Sequence, residues 1–202
     1  MSRLRFGPVP ADALVICVDM QRVFIEPGHW HCPQAVEILP NVARLVTARP
    51  QQSLFTRFIS AHTPEDAVGA WRRYYHHWRD VTLSRLGRAP YELHPGLAAV
   101  AQPGNVFDKS TYDAFDTPEF AAAVADRAPG ALVMCGLETE VCVLATVMSA
   151  VDLGYRVVLA RDALTSGDPN THDACLQLLD SRFNLQVELA DTDEILERWD
   201  TP

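Results

Sequence analysis

The sequence predicts an α/β fold: three layers, α/β/α, with a six-stranded, mostly parallel sheet carrying helices on both faces in a Rossmann-like manner. Three observations lead there. Apolar runs of strand length recur, helical patterns separate them, and 202 residues suffice for one substantial core.

Residues 13–20, Ala-Leu-Val-Ile-Cys-Val-Asp-Met, form a continuous apolar run closed by an acid. Absence of alternation marks a strand covered on both faces, which places it mid-sheet. Similar runs follow at 53–59, 105–109, 131–136, 155–160 and 185–189. Helical patterns lie between them: 41–48 after Pro40, 118–127 opened by Pro118, 139–153 closed by Gly154, 171–183, and 192–199. Strands joined through helices imply right-handed crossovers and therefore parallel pairing. No repeat, low-complexity stretch or composition shift divides the chain, so residues 1–202 are expected to form a single domain.

With 26 acidic and 17 basic side chains the net charge is -9, which argues against a nucleic-acid groove or an anionic membrane surface and leaves a small molecule as the expected partner. The five cysteines have neither even number nor paired short spacing, so no disulfide framework or CxxC zinc site is indicated. Residues 1–8 lack the apolar core of a secretory signal, and no run reaches transmembrane length. A cytoplasmic protein is expected.

One cysteine stands apart. Cys142 follows an apolar strand, a glycine turn at Gly136 and a helix start at Thr139. In a first helical turn, unpaired N–H groups and the helix dipole favour thiolate over thiol, as a nucleophile requires. Cys17, Cys32, Cys135 and Cys175 read as small core residues. Since ligands of parallel sheets bind beyond the carboxyl ends of the strands, Asp19, Lys109 and Cys142, each at such an end, can meet at one edge. Taken singly, Asp19 also reads as a turn cap and Lys109 as a solvated cation.

Four segments carry a resemblance: 15–24 (Val-Ile-Cys-Val-Asp-Met-Gln-Arg-Val-Phe), 107–115 (Phe-Asp-Lys-Ser-Thr-Tyr-Asp-Ala-Phe), 136–143 (Gly-Leu-Glu-Thr-Glu-Val-Cys-Val) with Ala145 and Thr146, and 150–163, with His172 on the helix beyond. At these residues the chain resembles the isochorismatase-like cysteine hydrolases, which include nicotinamidases and N-carbamoylsarcosine amidases. The resemblance implies a catalytic triad of Asp19, Lys109 and Cys142. It also implies an oxyanion hole from the backbone N–H groups of Glu138 and Cys142, with a cis peptide between Leu137 and Glu138. Relatives often complete their pockets from a neighbouring subunit, so a homo-oligomer, dimer or tetramer, is expected.

The chain also departs from that pattern. Where nicotinamidases carry an Asp-x-His metal pair, Phe58 and Ser60 stand, and a phenyl ring cannot coordinate a cation. No metal and no other cofactor is expected, and His62, His76 and His77 read as surface residues. Isochorismate hydrolases commonly lack the cysteine, so Cys142 points to acyl chemistry on a small amide or carbamoyl compound. Aromatics at 71, 74, 75 and 78 share one helical face and suggest a lid, ordinary packing or a subunit seam. Phe24, Trp30, Arg57, Trp71 and Tyr75 are the candidate substrate contacts, with Arg57, Arg72 or Arg73 available to a carboxylate. Two other functions compete: a non-catalytic small-molecule binder, and an Asp19-dependent enol-ether hydrolase.

Overall fold

A computed structural model describes residues 3–200. Its sheet has the order β3-β2-β1-β4-β5-β6, and every pairing is parallel. The strands are β1 (Leu14–Val18), β2 (Ser53–Phe58), β3 (Val106–Lys109), β4 (Leu132–Gly136), β5 (Val157–Leu164) and β6 (Val187–Ala190). The helices are α1 (Arg22–Ile25), α2 (Ala35–Ala48), α3 (Ala70–His77), α4 (Leu83–Leu86), α5 (Pro118–Arg127), α6 (Leu144–Asp152), α7 (Pro169–Arg182) and α8 (Thr192–Glu197).

Period-two alternation assigns the layers. Val15 and Cys17 of β1 join one core with Ile38, Val42 and Leu45 of α2 and Ile195 of α8. Leu14, Ile16 and Val18 join the other with Phe120 of α5, Val147 of α6 and Leu179 of α7. Both faces of β1 are thus dry, which is why its sequence carries no polar alternation.

Three boundaries differ from expectation for identifiable reasons. Helix α2 begins at Ala35 and runs through Pro40. The backbone bond that proline forfeits is tolerated because Ile38, Val42, Leu45 and Val46 on the same helix are buried. Strand β5 continues past its apolar run to Leu164. Its polar residues are paired: Arg161 bonds Asp191, while Asp162 accepts from Asn41 and Thr192. The helix expected over 139–153 is two elements, a π-helical turn (Thr139–Val143) followed by α6. Thr139 does not cap it; its hydroxyl donates to the Thr165 carbonyl and meets the His172 ring.

One glycine fixes how closely the central strands approach. Gly136, at φ +112°, would place a Cβ 2.0 Å from the Val18 carbonyl oxygen. No side chain fits there. The strand order reverses direction between β1 and β4, and a crevice opens at that switch point.

Candidate active site

Asp19 follows β1 directly, in the left-handed region at φ +51°. That conformation is uncommon for a residue with a side chain, though Asp tolerates it better than most. The turned backbone lets the carboxylate be held from two sides. Thr56 donates its hydroxyl to Oδ1 at 2.6 Å and accepts the Asp19 N–H at 3.2 Å. The Lys109 ammonium lies 2.8 Å from Oδ2, and both side chains are 1% exposed. That second contact is a close ion pair without hydrogen-bond alignment, since Oδ2 accepts no hydrogen bond among the described residues. One oxygen of the carboxylate therefore retains capacity for a proton.

Register explains where Lys109 goes. Along β2 and β3, Arg57 lies beside Asp108 and Phe58 beside Lys109. Adjacent residues face opposite sides of a sheet, so these two pairs separate. Lys109 turns inward, 5.1 Å from the Phe58 ring centroid, and donates to the Thr111 and Tyr112 carbonyls at 3.1 Å each. Arg57 turns outward to Asp108 and Glu92. Contrary to expectation, Arg57 does not line the cavity beside Cys142, because alternation directs it away and two carboxylates occupy its guanidinium.

Cys142 sits on the π-helical turn, 6% exposed, in the wall of a cavity of ≈ 230 Å³. Both Asp19 and Lys109 act on its thiol. Burial and then the Asp19 carboxylate raise the thiol well above the ordinary cysteine range, while Lys109 pulls the other way. The expected helix-terminus preference for thiolate is outweighed by lost solvation and by the neighbouring negative charge. For Lys109, burial works against the charged form, but the Asp19 carboxylate and then Cys142 carry its pKa above the usual lysine value.

The Leu137–Glu138 peptide is cis, at the position the resemblance implied. Beyond it, the Glu138 N–H has no acceptor among the described residues, whereas the Leu137 and Thr139 N–H groups bond the Val18 and Thr165 carbonyls. Glu138 also lines this cavity. Burial raises its carboxyl pKa, the Gly167 N–H opposes that at 3.1 Å, and the charge of Glu140 adds to it.

Of the expected substrate contacts, Phe24 and Trp30 line the cavity, stacked at 5.7 Å and 9°. From the aromatic stripe, Tyr74 and Trp78 reach it. Trp71 and Tyr75 do not; Trp71 packs on Phe58 and Tyr112, and Tyr75 is buried behind. Tyr74 and Trp78 belong to the stripe for which a lid was one expectation; Tyr112, Val141 and the exposed His29 and His31 also line the cavity and carry no comparable signal in the sequence. Spacing held a partial signal, since 74 and 78 lie one helical turn apart. A nicotinamidase-type metal does not fit. Phe58 offers only ring carbons, and the Ser60 hydroxyl is engaged by the Val81 carbonyl and Tyr91. His62, His76 and His77 are exposed.

The profile of the isochorismatase domain matches residues 12–193. The chain belongs to the isochorismatase family. Among its relatives, a protein of Arabidopsis thaliana described as a probable inactive nicotinamidase is 26% identical over 167 residues, covering 81% of this chain and 85% of its own. The N-carbamoylsarcosine amidase of an Arthrobacter species is 22% identical over 98% of this chain and 74% of its own. A solved cysteine hydrolase from Pseudomonas syringae pv. phaseolicola shares the fold, with a TM-score of 0.77 at 24% identity, covering 98% of this chain and 93% of the other. This chain is an isochorismatase-family hydrolase with a six-stranded parallel sheet.

Proposed function

We propose that this hydrolase cleaves a C–N bond, amide or carbamoyl, of a small molecule through a thioester on Cys142, without a metal. The observation that carries the reading is the convergence of Asp19, Lys109 and Cys142 from three strand ends beside one cavity. Asp19 takes the thiol proton on its free carboxylate position as sulfur attacks the carbonyl carbon. The Lys109 ammonium stabilises the sulfur's developing charge. Backbone N–H groups of Glu138 and Cys142 receive the tetrahedral oxyanion. Asp19 then delivers its proton to the leaving nitrogen, the C–N bond breaks, and an amine or ammonia departs. Water attacks the thioester next, giving a proton to Asp19. The C–S bond breaks, the acid leaves, and Asp19 returns the proton to sulfur.

The relative named as an N-carbamoylsarcosine amidase supports a C–N substrate, and a thiol pKa held up by burial and then by Asp19 agrees with the need for a base beside it. Mass spectrometry of protein quenched during turnover of small amides and carbamoyl compounds should find the acyl group on the peptide containing Cys142. Hydrolysis that survives Cys142→Ser at full rate would favour an Asp19-dependent enol-ether hydrolase instead.

A further inference from the structure

The cavity wall is unusual in its charge. Six aromatic rings, Phe24, Trp30, Phe58, Tyr74, Trp78 and Tyr112, surround it, and no lysine or arginine lines it. Trp30 is the hub, with Phe58, Tyr74 and Trp78 centred 5.8, 6.2 and 6.3 Å from it. Lys109, the nearest fixed cation, is sealed below the surface and committed to Asp19 and two carbonyls. The one carboxylate in the wall is Glu138. It makes no ion pair among the described residues, and its hydrogen-bond partner is the Gly167 N–H. It lines the same cavity as Tyr74 and Tyr112.

A half-buried carboxylate without a counter-ion is costly, and the faces of indole and phenol rings attract cations. The two features together describe a receptor for a small organic cation. We infer that the substrate's non-reacting part carries an ammonium-type positive charge, held among Trp30, Tyr74 and Trp78 with Glu138 as counter-ion while its acyl carbon faces Cys142. A substrate carboxylate would meet Glu138 with no lysine or arginine in the wall to offset it; His29 and His31, which also line the cavity, are exposed. The net charge of -9 further concentrates cations at the cavity mouth.

This inference rests on the cysteine-hydrolase reading for the placement of the acyl group, but the cation site can be tested without turnover. Isothermal titration of the full-length Cys142→Ala protein with choline, its neutral isostere 3,3-dimethylbutan-1-ol and the anion 3,3-dimethylbutanoate isolates charge from shape. Choline should bind at least about tenfold more tightly than the alcohol, with the anion weakest. Glu138→Gln should reduce the preference for choline to within about threefold. Trp78→Leu provides a second route to the same loss should the first variant fold poorly. Equal binding of choline and alcohol, tightest binding of the anion, or no detectable choline binding would overturn the inference. Because the thiol is absent throughout, these outcomes are separate from any failure to trap a thioester on the unmodified protein.

Discussion

Two buried carboxylates, one on the edge strand β6 and one directly after the central strand β1, differ in how fully they are satisfied. Glu188 on β6 is fully buried, yet every demand is met: Oε2 accepts from Arg156 at 2.7 Å and Oε1 from the Phe6 N–H at 2.9 Å, while the guanidinium also bonds the Gly7 and Pro8 carbonyls at 2.8 Å each. Asp19 is equally buried and is paired at the same range, yet one of its oxygens lacks an aligned donor and a thiol lies alongside. Burial of a charge therefore does not separate a structural site from a chemical one. Under the proposed mechanism, unused proton-accepting capacity next to the nucleophile does.

The largest effect that sharpens this contrast is expected from Cys142→Ala, which should lower kcat for any substrate amide by about 10³-fold or more while leaving the urea midpoint close to that of the parent. Next comes a matched pair. Lys109→Met and Arg156→Met each leave a buried carboxylate without its partner, and each should cost about 3–5 kcal/mol in urea unfolding. Their activities should diverge: steady-state kinetics on the folded fraction should show at least about a hundredfold loss in kcat for Lys109→Met and less than about threefold for Arg156→Met. Equal kinetic losses would dissolve the distinction drawn here.

A smaller effect concerns pH. Burial pushes Cys32 and Cys175 up to about 11, and Cys142 is raised as well. In the unfolded chain thiols lose their protons near about 8.5. Between that value and about 11 the folded state binds more protons than the unfolded state, so stability present below it declines as pH rises. Urea midpoints measured from pH 7 to 10 should be level at first and then fall, and Cys142→Ala should make the decline shallower. Iodoacetamide at pH 7 should modify Cys142 slowly for the same reason. The smallest effect is expected from Arg57→Ala. Its partners are substantially exposed, so the stability loss should stay within about 1 kcal/mol, and kcat/KM should change less than about threefold.

The pattern of what could be read in advance follows from the same physics. Strands β1 and β4 were legible because burial on both faces leaves an uninterrupted apolar run, the other strands because shorter apolar stretches recur at strand length, and α5 matched over 118–127 because Pro118 marks its start. The single turns α1 and α4 and the 3₁₀ turns had no comparable signal, since a few residues cannot display a helical period. The meeting of strand-end residues Asp19 and Lys109 was legible because topology alone places such ends together. The direction of Arg57 was not legible, because one position of strand register inverts a side chain's direction and the ends of the run do not specify which face is which. The cavity wall came largely from loops and from α3, whose orientation depends on contacts with Phe58 and Tyr112 far away in sequence.

The approach of β1 and β4 at Gly136 also bears on how this protein tolerates change. A methyl group there overlaps a carbonyl oxygen of the neighbouring strand, and every L-residue is strained at that backbone angle. In a saturation library, codon 136 should behave as an all-or-none position, with the parent clone alone retaining soluble expression. Laboratory evolution toward new substrates is accordingly better directed at Trp30, Tyr74 and Trp78, where the polypeptide around the nucleophile can stay still while the chamber it faces is redrawn.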